Sequence, residues 1–260
     1  MSGLDLRNTA TRIAALGLSA LRTTPLRCVT FGDSQANTND CVSPATQDAS
    51  KASASVWNSG TVTLRQHGRK WGLPWFYPQA YLVGNCGVSG NTTTQMLARD
   101  VAASSTTRRA IADVINLNPD VVIFRGGSIN NFSAVTNAGQ VATALATAQA
   151  EATEIMTRFA SANLPVLVEG IYGYSSTTMY SGDPDQIRSA IVQQNAFLKA
   201  LCAARTDGLW RYVDPVGVIS DAAGNFLSSA MYVNAASNDN GVHLSGYGQY
   251  LMAQVEAQIL

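Results

Sequence analysis

The hydrophobic positions of this 260-residue chain form two kinds of pattern. Short, near-continuous apolar runs rich in valine, isoleucine and leucine predict strands that are buried on both faces. These runs are at 27–31, 81–83, 120–124, 165–171 and 209–213. Longer segments repeat apolar residues every three or four positions and predict helices. The clearest of them are 138–162, 184–204 and 244–260, and shorter ones are at 92–101 and 108–117.

The alternation of strands and helices, with glycine-rich turns between them, predicts the fold class. It is typical of α/β proteins and indicates one doubly wound, flavodoxin-like parallel sheet of about five strands with helices on both faces. No internal repeat or linker divides the chain. We therefore expect a single domain over residues 27–260, preceded by an N-terminal helix and lead-in over residues 1–26.

Composition narrows the classes of partner. The chain is 46% hydrophobic, which suffices for one sizeable core, and its formal net charge is zero with only 13% charged residues. No basic stripe is present, so nucleic acid is not an expected partner. No apolar run is long enough to span a membrane. A surface covered largely by Ser, Thr, Asn and Gln leans towards an extracellular, periplasmic or particle-associated protein.

The cysteines and histidines do not suggest a metal site. The four cysteines lack Cys-x-x-Cys spacing and there are only two histidines, His67 and His243. Cys28 and Cys202 lie in apolar runs, where a buried thiol is the usual state. The loop residues Cys41 and Cys86 leave a disulfide open as an alternative, because sequence alone does not choose a pairing.

Candidate chemistry is concentrated in turns that follow the predicted strands. Three of them are Gly32-Asp33-Ser34, residues 87–92 and residues 126–131, and a fourth polar segment, 239–243, precedes the last helix. In open α/β sheets, ligands bind beyond the carboxyl ends of the strands, so these turns can meet in one site. A serine needs a base to be a nucleophile at neutral pH, and His243 is the histidine that a loop could deliver.

Two donors in the same turns suit a developing oxyanion, the Gly90 N–H and the Asn130 side chain. The first needs glycine, because only a backbone without a side chain can approach so closely. The serine and the glycine-rich turns have other interpretations. Ser34 could simply cap a helix. The Gly-x-Ser-x-Gly turn of α/β-hydrolases is not matched, because Ala36 replaces the second glycine. The glycines at 84, 87 and 90 do not have the Gly-x-Gly-x-x-Gly spacing of dinucleotide-binding domains.

Taken together, these blocks resemble the SGNH hydrolases, also called the GDSL family. The first block matches as Gly32-Asp33-Ser34, with Gln35 where the family often has leucine. The second matches as Gly-Val-Ser-Gly-Asn-Thr at 87–92 and the fifth as Gly-Val-His-Leu-Ser at 241–245. The resemblance covers the chain from the first strand to the last helix.

The resemblance implies a carboxylic ester hydrolase that works through an acyl-enzyme, without a metal or an organic cofactor. Ser34 would be the nucleophile and His243 the general base. The Ser34 N–H, the Gly90 N–H and the Asn130 side chain would form the oxyanion hole.

Two blocks depart from the family pattern. The third, Gly-Ser-Ile-Asn-Asn at 127–131, is one residue longer or shifted, so Asn131 is an alternative to Asn130. The family's acid lies three residues before the histidine, where this chain has Asn240, and Asp239 is one residue earlier. Three explanations stay open: Asp239 orients the histidine, a backbone carbonyl does so, or the enzyme is weakened.

The substrate is predicted only by class. Polar side chains on the candidate loops favour a small acyl group, such as acetyl, on a polar alcohol such as a sugar. Trp75, Tyr77 and Tyr174 are candidates for lining the cleft. A lipase or thioesterase for longer acyl chains and a catalytically weakened module that binds saccharides or a particle surface are the alternatives. The oligomeric state is not readable from the sequence.

Overall fold

The structure is a computed structural model that describes residues 26–37, 73, 80–88, 90–99, 110–175, 180–227, 242–244 and 246–260. Several predictions fall outside these ranges and stay predictions. They concern the N-terminal helix, a Cys41 disulfide, the cleft-lining roles of Trp75 and Tyr77, and the histidine-orienting residue at Asp239 or Asn240.

The described strands form one five-stranded sheet, as predicted. They are β1 Leu26–Gly32, β2 Ala80–Gly87, β3 Val121–Arg125, β4 Val166–Glu169 and β5 Trp210–Val213. All neighbours pair in parallel, and the order across the sheet is β2-β1-β3-β4-β5. After β2 the chain crosses over to the other side of β1, so the gap between β1 and β3 is the topological switch point.

Strand β2 is longer than its apolar run predicts. The polar and glycine residues at 84–87 continue the strand because their backbones pair with β1, up to Gly32 opposite Gly87. Glycine at position 84 also lets the Leu117 side chain pack against the strand, since a Cβ atom there would lie only 2.6 Å from Leu117 Cδ1. The pattern of side chains alone therefore underestimates this strand.

Helices connect the strands and cover the sheet. They are α1 Ser34–Asn37, α2 Thr93–Ala98, α3 Ile111–Asn116, α4 Ala138–Ser161, α5 Pro184–Ala204 and α6 Gly246–Ile259, with a 3₁₀ helix at Ile129–Phe132. The two longest begin at polar caps: the Asn137 side chain accepts from the Gln140 N–H, and Asp183 accepts from the first turn of α5. None of the helices in the described part of the chain has the length and apolarity to cross a membrane.

Alternate residues of the strands enter two apolar layers, one on each face of the sheet. Cys28, Val121 and Ile123 pack in the layer that contains α6. Val29 and Val122, their neighbours along the chain, pack in the opposite layer with residues of α2 to α5. Helices thus cover both faces, which confirms the doubly wound arrangement and leaves the carboxyl edge of the sheet for the polar turns.

Candidate active site

Ser34 lies directly beyond the carboxyl end of β1, next to the switch point. It is the first residue of the short helix α1, and it is half-buried. Gly32 allows β1 to pass close to β3, because a Cβ atom at Gly32 would lie only 2.9 Å from Arg125 Cβ. Its φ of +154° is also one that residues with side chains rarely adopt.

His243 meets Ser34 across the site. The Nε2 atom of His243 lies 2.9 Å from Ser34 Oγ, although 209 positions separate the two residues in sequence. His243 is half-buried just before α6. When Nε2 carries no proton, this geometry lets the Ser34 hydroxyl donate to the imidazole, as nucleophile activation requires.

Asn130 reaches the same edge from the 3₁₀ helix after β3. Its Nδ2 donates to the Asn91 carbonyl at 3.2 Å and to Ser128 Oγ at 2.9 Å, while its Oδ1 accepts from the Tyr180 hydroxyl at 2.9 Å. A carbonyl oxygen only accepts, so the contact with Asn91 fixes which end of the amide carries the N–H groups. The amide is therefore held in one orientation before a substrate binds.

Asn131 has a different set of partners. Its Oδ1 accepts from the Thr93 N–H at 3.0 Å, and its Nδ2 donates to Thr93 Oγ1 at 2.7 Å. Both ends of the amide thus hold the first residue of α2. The side chain joins the 3₁₀ helix to α2.

Gly90 is exposed on the turn between β2 and α2 and has a φ of +76°. The sequence suggested that a glycine is needed there because the backbone makes a close approach. The structure gives another reason: a Cβ atom at Gly90 would meet no protein atom within 4 Å, but the left-handed backbone conformation disfavours other residues.

Asp33 joins the turns after β1 and β3, a role that sequence reasoning missed. Its carboxylate is fully buried and accepts from the Gln35 N–H at 2.9 Å and from Ser128 Oγ at 2.7 Å. Asn130 Nδ2 is a third, longer contact at 3.4 Å. A charged acceptor makes such hydrogen bonds stronger, so Asp33 fixes the two turns that carry Ser34 and Asn130.

A buried ion pair lies behind these turns. Arg125 Nη2 is 2.9 Å from Glu169 Oε2, both side chains are fully buried, and the Tyr172 hydroxyl contacts the same guanidinium. Burial lowers the pKa of Arg125, and the negative charges of Glu169, Asp33 and Glu256 oppose this shift. Within the described ranges, no group of three or more His, Cys, Asp or Glu residues is placed to hold a metal ion.

Tyr174 and Tyr180 support the site from inside the protein. Tyr174, predicted to line the cleft, is fully buried, and its ring stacks on Tyr180 with the centroids 5.7 Å apart. Tyr180 in turn donates to Asn130. The structure therefore places Tyr174 behind the site as a support for Tyr180, and not on a substrate-facing wall.

A groove lies beside Asn131, the neighbour of Asn130 along the chain. It has a volume of about 550 Å³ and runs between the start of α2 and the first half of α4. Most of its lining surface is apolar, and hydroxyl and amide groups are set into it by Thr92, Thr94, Asn131, Asn137, Gln140, Thr143 and Thr147. The residue before Thr92 accepts a hydrogen bond from Asn130, so the groove begins next to the candidate site.

Comparisons with known proteins support the fold. No protein-family profile matches the chain, and no curated protein matches it in sequence. Solved structures do match along nearly the whole chain. A GDSL-like lipase from Bacteroides thetaiotaomicron has 18% identity and a TM-score of 0.53, with 96% of each chain covered.

Two further structures agree with this match. A putative acylhydrolase from Bacteroides fragilis has 19% identity and a TM-score of 0.55, covering 98% of this chain and 94% of its own. An acetylxylan esterase from Geobacillus stearothermophilus has 16% identity and a TM-score of 0.56, covering 91% and 94%. The chain therefore has the fold of the SGNH-type hydrolases, as the resemblance of its sequence blocks implied.

Proposed function

We propose that this protein is a serine carboxylic ester hydrolase that removes small acyl groups, acetyl above all, from polar alcohols. One observation carries the proposal: Ser34 Oγ and His243 Nε2 lie 2.9 Å apart at the switch point of a doubly wound sheet. A structural serine cap would not need a histidine at this distance. The half-buried position also lets a substrate reach both atoms.

The chemistry follows from the two side chains. His243 Nε2 takes the proton of Ser34 as Oγ attacks the ester carbonyl carbon. The protonated imidazole then gives that proton to the departing alcohol, which leaves an acyl group on Ser34. A water molecule, activated by the same histidine, attacks the acyl-enzyme and releases the acid.

Hydrogen-bond donors stabilise the negative charge on the carbonyl oxygen. We assign this role to the Ser34 N–H, the Gly90 N–H and the Asn130 amide. The partners of Asn131 support the choice between the two asparagines, since both ends of its amide are bonded to Thr93. The N–H groups of Asn130 already face Asn91 and Ser128, so an oxyanion replaces one existing acceptor.

The hydroxyl and amide groups in the groove support a saccharide as the alcohol. Hydroxyl and amide side chains can donate to and accept from the hydroxyl groups of a sugar. The groove starts at Thr92 and Asn131, beside the candidate oxyanion donors. The name of the Geobacillus protein, an acetylxylan esterase, agrees with this substrate class.

Hydrolysis of p-nitrophenyl acetate tests the proposal. We expect Ser34→Ala to lower kcat by at least about 10³-fold, because it removes the nucleophile. Ser161→Ala is the matched control, since Ser161 is an exposed serine that bonds only within α4 among described residues, and it should keep the wild-type rate. Equal rates for the wild type and Ser34→Ala would refute the esterase and favour a binding module.

The same assay identifies the acyl group and the alcohol. Rates for p-nitrophenyl esters should fall as the acyl chain lengthens beyond acetate, and acetylated xylooligosaccharides should release acetate in a Ser34-dependent reaction. A preference for long acyl chains would contradict this substrate class and favour a lipase or thioesterase.

A further inference from the structure

Gln35, the residue that replaces the family's usual leucine, bridges two parts of the site. Its side chain is buried, and its Nε2 donates to the Val242 carbonyl at 2.6 Å. Its Oε1 accepts from Arg125 Nη1 at 2.9 Å. The amide thus connects the end of β3 to the backbone immediately before His243.

The orientation of this amide follows from its neighbours. A guanidinium only donates hydrogen bonds and a backbone carbonyl only accepts them, so the oxygen must face Arg125 and the nitrogen must face Val242. In the reverse orientation the Gln35 nitrogen would face the N–H groups of Arg125 and the Gln35 oxygen would face the Val242 carbonyl, so neither hydrogen bond could form. The positive charge of Arg125 also polarises the amide and strengthens the hydrogen bond that Nε2 donates.

Both ends of the bridge are anchored. Arg125 is held by Glu169 and Tyr172 in the interior. At the other end, the Val242 side chain is fully buried in an apolar cluster with Ile129 and Tyr174. The backbone before His243 is therefore held by core packing and by a charge-polarised hydrogen bond together.

We propose that Gln35 is a positioning residue, which holds His243 at hydrogen-bond distance from Ser34 through the Val242 carbonyl and the buried Arg125–Glu169 pair. This inference rests on the proposed esterase function. Misplacing a catalytic group by 1 Å can lower the rate by about 10²-fold, so a contact of this kind has a measurable effect on turnover. A leucine at this position could not make either hydrogen bond.

Two substitutions separate positioning from general packing. Gln35→Glu keeps an oxygen for Arg125 but places a second oxygen against the Val242 carbonyl, so only the link to the histidine segment is lost. Gln35→Met has a similar volume and loses both hydrogen bonds. The matched control is Asn195→Asp, because Asn195 is another buried amide that donates to a backbone carbonyl, that of Ile171, at 2.8 Å.

The readouts are kcat and KM for p-nitrophenyl acetate and the rate at which diisopropyl fluorophosphate inactivates Ser34. We expect Gln35→Glu and Gln35→Met to lower kcat and the inactivation rate together by about 10- to 100-fold, with KM changed by less than about threefold. Asn195→Asp should lower the melting temperature while both rates stay near wild type. Melting curves identify any variant that is unfolded. If one Gln35 variant is unfolded, the kcat and inactivation rate of the other test the positioning role.

Two results would overturn the inference, and they differ. If the wild type hydrolyses the ester through Ser34 but both Gln35 variants keep wild-type kcat and inactivation rates, the positioning role is wrong and the esterase stands. If Ser34→Ala equals the wild type, the proposed function fails and the inference fails with it.

Discussion

At the scale of single residues, hydrogen bonds between side chains that are distant in sequence fix the geometry of the candidate site. Asp33 holds Ser128 and Asn130 from the turn after β1, and Tyr180 holds the opposite end of the Asn130 amide. Asp33 and Ser128 are fully buried, and a buried polar group left unsatisfied costs about 1–3 kcal/mol, so each needs its hydrogen-bond partners. The contacts therefore select one arrangement of the donors.

The two adjacent asparagines provide a prediction at this scale. Asn130→Ala should lower kcat by about 10²- to 10³-fold, the loss expected for one oxyanion donor. Asn131→Ala should keep kcat but lower the free energy of unfolding by about 0.5–2 kcal/mol, because it removes the contacts with the first turn of α2. Steady-state hydrolysis of p-nitrophenyl acetate and urea unfolding measure the two effects. If Asn131→Ala lowered kcat and Asn130→Ala did not, Asn131 would be the oxyanion donor and Asn130 the structural residue.

At the scale of elements, neighbouring strands place opposite charges side by side. Arg125 and Glu169 end β3 and β4, and the register of the two strands sets these residues directly opposite each other. Each ends an otherwise apolar strand, which is the one sequence signal that a buried pair was present. Sequence analysis alone could not use that signal, because the pairing of β3 with β4 is a property of the assembled sheet.

Breaking this pair is expected to destabilise the protein strongly. Glu169→Gln leaves Arg125 buried without its closest counter-charge, and such a change typically costs about 3–5 kcal/mol. Glu154→Gln is the control, because Glu154 pairs with Arg158 on the surface of α4 and such pairs contribute less than about 1 kcal/mol. Urea unfolding of both variants should therefore give clearly different midpoints. Similar midpoints would show that Asp33 and Glu256 neutralise Arg125 without Glu169.

The elements also show which features a sequence pattern predicts well. Apolar runs identified the five strands because burial on both faces requires them. The polar segments that interrupt those patterns carry Ser34 and His243, whose side chains lie 2.9 Å apart. The extension of β2 through Gly87 was missed, since backbone pairing with β1 and not side-chain character forms it. The contacts of Gln35 and Tyr180 were missed for a similar reason: each joins segments that are distant in sequence.

At the scale of the whole molecule, the sheet separates two apolar layers and exposes one polar edge. The candidate site lies on that edge at the switch point, where β1 leads to β2 on one side and β3 leads to β4 on the other, an arrangement that leaves a crevice between the connections. The layer that contains α4 and α5 extends to the end of α5, where Cys202 is buried. The reactivity of this thiol therefore shows whether the layer is closely packed.

Cys202 provides the last prediction. Burial raises the pKa of its thiol to about 12, whereas a cysteine in an unfolded chain has a pKa of about 8.5. A raised pKa keeps the folded form protonated, and only the thiolate reacts with iodoacetamide, so Cys202 of the native protein should resist alkylation at about pH 8. Denaturing urea should make it react readily, because the unfolded thiol is accessible and partly ionised. Peptide mass spectrometry distinguishes Cys202 from the other cysteines, and equal labelling with and without urea would contradict a closed layer between β3, α4 and α5.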